Sequence, residues 1–173
     1  MSHVTLEAKV KAKFSHINLR NESVAAGDED MESVTAVDVK LVITGKLSEL
    51  CNFCDLSETT LLAMQSAGVE AGNVRGEYEH HQVVLKGAGR GSNLMPVTLR
   101  DCKVNKISFN MSEDDHVEGF CDVSFRVQAF PRELEEPGKL AKMLQENVQV
   151  QIKPEKDLLT GAYDPEPGED PAD

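Results

Sequence analysis

Residues Val4 to Phe14, VTLEAKVKAKF, place Val4, Leu6, Ala8, Val10, Ala12 and Phe14 on one parity and Thr5, Glu7, Lys9, Lys11 and Lys13 on the other. Alternation sustained over this length describes one long β-strand with a dry face and a basic face, and suits no helix. The signature recurs. In Ser33 to Thr44, Val37, Val39, Leu41 and Ile43 alternate with Asp38, Lys40 and Val42. From Cys121 to Ala129, Cys121, Val123, Phe125, Val127 and Ala129 oppose Asp122, Ser124, Arg126 and Gln128, and the late segment NVQVQIK turns Val148, Val150 and Ile152 one way. A chain written repeatedly in period two folds around a sheet with one buried side.

Val97 to Met111 keeps the same period but slips. Val97 and Leu99 share one parity, Cys102 and Val104 the other, and Ile107, Phe109 and Met111 return to the first, which predicts a bulge or twist near Asp101 and again near Asn105. Val74 to His80 and Gln82 to Lys86 read as two short strands leading into the glycine-rich loop GAGRGSN. The polar stretch NESVAAGDEDMES reads as a loop that makes a hairpin of the first two strands.

Two segments change period. Leu47, Leu50, Cys51 and Cys54 recur at helical spacing, and Ser57 can cap a second short helix carrying Leu61, Leu62 and Met64, giving a helical crossover from Lys46 to Gln65. After Pro131, PGKLAKMLQE offers Leu140, Met143 and Leu144 as the apolar side of another short helix. The expected fold is α+β: a mainly antiparallel β-sheet or partly open barrel with two short flanking helical segments. One β-rich domain is expected over residues 1–157.

Residues 158–173 should form a disordered acidic tail. In its last ten residues, 164–173, Asp164, Glu166, Glu169, Asp170 and Asp173 stand among prolines, with no base and no apolar residue larger than alanine to bury. They account for five of the formal −12, leaving −7 on residues 1–163. With 173 residues and 40% hydrophobic content, a single core is affordable. No apolar run nears the roughly 18 residues of a membrane span, and MSHVTLEAKV has no secretory pattern, so the expected location is the cytoplasm of whichever cell makes the protein. Cys51, Cys54, Cys102 and Cys121 are then reduced thiols.

The motifs that would carry chemistry are incomplete. Cys51-x-x-Cys54 has ligand spacing but no second pair, and on a strand His80 and His81 face opposite ways. GAGRG lacks the lysine and hydroxyl of a phosphate-binding loop, and GDEDME lacks the closing glutamate of a calcium loop. No nucleophile elbow accompanies the serines. The expectation is a protein that is not an enzyme and takes no cofactor and no metal.

Binding is what the charge pattern supports. Lys9, Lys11 and Lys13 reverse the sign of an acidic chain along one strand face, and Lys103, Lys106 and Arg126 from the later strands, with Arg90 from the glycine-rich loop, can join them. Such a face holds single-stranded nucleic acid through its phosphates, largely without regard to sequence. Phe14, Phe109 and Phe125 point inward on parity, which leaves Tyr78, Phe120 and Phe130 for base stacking.

The segments AKFSHINLRNE, AVDVKLVITG, LRDCKVNKISF and DVSFRVQAFP resemble small proteins encoded in tailed bacteriophages and prophages, often among DNA replication and recombination genes. The resemblance spans about Ala12 to Ile152 and implies a role in DNA metabolism, with single-stranded DNA and host or phage replication and recombination proteins as partners. In overall plan, a basic sheet face with an acidic tail, the chain is similar to phage single-stranded DNA-binding proteins, although its tail lacks a terminal aromatic residue. A second reading is a protein-binding module, such as an acidic DNA-mimicking inhibitor of a host enzyme or an assembly factor. The long edge of the first strand also leaves room for a homo-oligomer.

Overall fold

The alternating segments become six strands: β1 (Leu6–Ala25), β2 (Met31–Lys46), β3 (Ala71–Gly87), β4 (Val97–Met111), β5 (Phe120–Ala129) and β6 (Asn147–Pro154). Among the described residues two helices are seen along their length, α1 (Glu58–Ser66) and α2 (Glu136–Lys142). The computed structural model describes residues 4–25, 31–46, 51, 53, 57–69, 71–111 and 120–155. The acidic tail expected over 158–173 lies outside them, as does Cys54.

All strand pairs are antiparallel, in the order β1-β2-β5-β4-β3-β6. β6 then pairs back onto β1, so the sheet closes into a barrel rather than the partly open one expected. The short β6 achieves this because it is hydrogen-bonded on both sides, to Leu6–Lys13 of β1 and to residues 81–87 of β3. Closure also covers that stretch of β1, which was expected to be a long open edge.

The inward parity fills the interior as expected. Phe14, Leu41, Ile43, Leu85, Leu99, Phe125 and Ile152 are almost fully buried. Phe53, from the connection between β2 and α1, adds a ring that sits 4.8 Å from that of Phe125, so the crossover contributes a plug to the barrel core. Ser57 caps α1 by accepting from the Thr60 backbone N–H at 3.1 Å. On α2, Leu140 and Met143 are buried, but Leu144 faces solvent, because the helix ends at Lys142 before the apolar side can include it.

Both slips in β4 are real. Asp101 (φ 50°) and Lys106 (φ 51°) take the left-handed conformation, and the ladders shift register beside them. β3 differs from the reading. It is one continuous strand, bent at His80 (φ 58°) instead of broken into two. The bends at His80 and Asp101 meet, with His80 Nδ1 2.8 Å from Asp101 Oδ1. Glu155, buried just after β6, holds the pair: its carboxylate accepts from the Asp101 N–H at 2.7 Å and its own N–H donates to the His80 carbonyl at 2.8 Å.

A further difference concerns the polar stretch from Asn21 to Ser33. Asn21 to Ala25 pair with Thr35 to Met31, so the expected loop is largely strand. The β2–β5 ladder ends at Val37↔Ala129, and β1 and β2 therefore continue past it as a two-stranded ribbon. No helix among the described residues is long and apolar enough to cross a membrane.

Candidate nucleic-acid interface

Residues directly opposite in an antiparallel ladder share a face, so the register determines which charges meet. His16 of β1 pairs with Lys40 of β2, Lys40 with Arg126 of β5, and Arg126 with Asn105 of β4. The bulge that follows Asn105 adds the exposed Lys106 beside it. Four basic side chains thus cross four neighbouring strands in one outward row. Strands lie roughly 4.8 Å apart, so the row extends about 14 Å.

The next outward row, roughly 7 Å along the strands, runs Lys13, Val42, Ser124, Ser108 and Asn73. Among the described residues, neither Lys40, Arg126, Lys106 nor Lys13 makes an ion pair. Like charges set directly opposite, as Lys40 and Arg126 are, are unfavourable in a ladder. An anion laid along the row relieves that repulsion.

Carboxylates border the row on its other side. Asp38 accepts from Arg20 Nε at 3.2 Å and from Gln128 Nε2 at 3.0 Å, and Gln128 Oε1 in turn accepts from Asn105 at 2.7 Å. Burial alone would raise the Asp38 pKa, but the hydrogen bonds from Arg20 and Gln128 and the charges of Arg20 and Arg126 outweigh it and hold the carboxyl below its ordinary value. Arg20 also pairs with Glu22. The polar chain Arg20–Asp38–Gln128–Asn105 spans the same four strands and fixes the outer face beside the row.

The seven basic residues singled out from the sequence do not form one patch. Lys13, Lys106 and Arg126 come together. Lys103 does not join them: it sits 3.1 Å from both Glu77 and Glu79, and hydrogen bonds to these two carboxylates raise its pKa. Lys11 pairs with Gln149 of β6, and it lines a cavity with Arg90, Glu146 and Asn147, beside the row and not in it. The side chain of Lys9 lies outside those described.

Lys40 and His16 were missed. Lys40 was legible as an outward position of its strand, yet only the pairing register reveals that it stands against Arg126. Of the expected stacking residues, Phe130 is exposed, Tyr78 is buried against the core, and the Phe120 side chain is outside those described.

A polar pocket of about 300 Å³ opens beside the second row, with Val42, Asn73, Ser108, Asn110, Asp122 and Ser124 in its lining. The Ser108 and Ser124 hydroxyls are 2.6 Å apart, and Asp122 Oδ1 accepts from Thr44 Oγ1 at 2.5 Å. A larger cleft, about 450 Å³, holds Arg20, Glu79, His80, Asp101, Lys103 and Gln128. Its cations are already matched by carboxylates, so it offers no net charge to a polyanion.

Cys51, Cys102 and Cys121 are buried, and Cys102 and Cys121 are free thiols. Burial pushes the Cys121 pKa up to about 11 and that of Cys102 higher still, so neither is a nucleophile at neutral pH. Among the described residues no group of three histidine, cysteine or carboxylate side chains is placed to hold a metal ion. No known protein family, curated protein or solved structure matches the chain.

Proposed function

We propose that the protein is a non-enzymatic accessory factor that binds single-stranded DNA along the row His16, Lys40, Arg126 and Lys106, with Lys13 beside it. The observation that carries this reading is the pairing of Lys40 with Arg126, neither of them ion-paired to a carboxylate among the described residues, on a chain of net charge −12. Segregated positive charge of this kind favours an extended phosphate backbone, and a closed barrel holds it on a rigid surface. The resemblance to tailed-phage proteins makes replication or recombination of phage DNA, in the cytoplasm of the host, the setting of that activity.

The experiment is a fluorescence-anisotropy titration of a labelled single-stranded oligonucleotide over a range of salt concentrations. Four phosphate contacts give a slope of log K against log salt of about −2.8. Absence of binding at low salt ends the reading.

A second reading has its own support. The β1–β2 ribbon projects past β5 and exposes Val24 at 42% and Met31 at 66%, beside Glu22 and Glu32, with Leu19 exposed at 52% at its base. Apolar groups on an acidic projection suit a protein partner. Such a partner can be a replication or recombination protein, and its contact leaves the basic row free.

A further inference from the structure

The pocket beside the basic row is placed where the base of a bound nucleotide would lie. We infer that it seats a nucleobase and favours bases that carry an exocyclic amino group over thymine, an inference that rests on the DNA-binding reading above. Arg126 and Asp122 point outward from the same strand, four residues and about 13 Å apart. Ser124 lies between them, hydrogen-bonded to Ser108.

The charge changes sign along this line. A phosphate is drawn to Lys40 and Arg126 and repelled by Asp122, so the strand lies with its backbone on the row and its bases over Asp122, Asn110 and Asn73. Gly72 also lines the pocket, and a Cβ there would run into the ring of Phe109, its buried partner across the ladder. The lining is otherwise uncharged and rich in hydrogen-bonding groups, as a base edge requires.

The preference follows from Asp122. An ionised carboxylate only accepts hydrogen bonds. One of its oxygens takes the Thr44 hydroxyl, which leaves the other as an acceptor in the lining. The amino groups of cytosine, adenine and guanine donate to such an oxygen, whereas thymine has no amino group and offers only its N3–H, set between two carbonyl oxygens that repel the carboxylate. Asn73 and Asn110 can donate or accept and so do not discriminate by themselves.

The test compares labelled oligo(dC) and oligo(dT) of equal length on the wild-type protein and on Asp122→Asn. Wild type should bind oligo(dC) at least about fivefold more tightly. Asp122→Asn, whose amide can donate to a thymine carbonyl, should lose that preference while its salt slope stays unchanged. On the wild-type protein, oligo(dC) should also shift the NMR signals of the Asn73 and Asn110 side-chain amides more than oligo(dT) does, a readout that does not depend on the variant folding. Equal affinity of wild type for the two oligomers, or a preference that survives Asp122→Asn, overturns the base pocket and leaves the basic row standing. Absence of salt-dependent binding to either oligomer overturns both.

Discussion

Lys40 and Arg126 stand directly opposite one another across the β2–β5 ladder, both outward, and neither is joined to a carboxylate among the described residues. Directly opposed like charges are unfavourable by up to about 1 kcal/mol. Their neighbours sharpen the contrast: one outward residue further along, Asp38 faces Gln128 and is bonded to it. The sheet neutralises its charges on that row and leaves them unpaired on this one. A binding surface for an anion has this form.

Replacing Lys40 with Ala should therefore leave the protein equally stable or more stable, by up to about 1 kcal/mol, while weakening DNA binding. Urea denaturation and anisotropy on the same preparation check both halves. A clear loss of stability would show that Lys40 has a structural partner and not a ligand-binding role.

Lys103 should behave differently. Glu77 and Glu79 hold its ammonium group, so Lys103→Ala removes no charge available to DNA and should change affinity less than twofold. An oligonucleotide titration beside Lys40→Ala makes the comparison.

Asp38 gives the fold a pH dependence. Its folded pKa lies below the ordinary 3.8, so the stabilisation is fully present above that value and is lost as pH falls toward and through the lower folded one. Wild type should lose stability on acidification from pH 5 to pH 3 by more than Asp38→Asn does. Chemical denaturation at the two pH values measures the difference.

Phe53 is fully buried and touches Phe125, although it comes from a connection and not from a strand. Phe53→Ala should cost about 3–5 kcal/mol, the usual effect of emptying an aromatic site in a core, and thermal or urea unfolding reads it directly. A cost under about 1 kcal/mol would mean that the connection does not plug the barrel.

Much of the fold was legible because side-chain parity in a strand is a local property. Val37 to Ile43, Cys121 to Ala129 and Val148 to Ile152 needed only the period of two to be oriented correctly. The slips at Asp101 and Lys106 were visible for the same reason: a bulge moves the parity of everything after it. Ser57 was legible as a cap because its hydroxyl satisfies a backbone N–H only three residues on.

What the sequence did not disclose depends on partners far along the chain. Closure by β6 requires its pairing with both β1 and β3, and neither pairing leaves a local trace. The polar residues Asn21 to Ser23 look like loop but are strand, because a ribbon that leaves the barrel has no core side and needs no apolar parity. His80 bends β3 without breaking it because Asp101 and Glu155 meet it there. The basic row was half visible. Lys13, Lys106 and Arg126 could be named from outward parity, but Lys40 and His16 join them, and Lys103 leaves them, only through register and the nearby glutamates.

The most direct test of the basic row is the salt dependence of single-stranded DNA binding in the double variant Lys40→Glu/Arg126→Glu beside the wild type. With two of four phosphate contacts removed, the slope of log K against log salt should fall in magnitude by about 1.4, and affinity at low salt should drop steeply. Identical slopes and affinities in the two proteins would contradict the assignment of this face to nucleic acid.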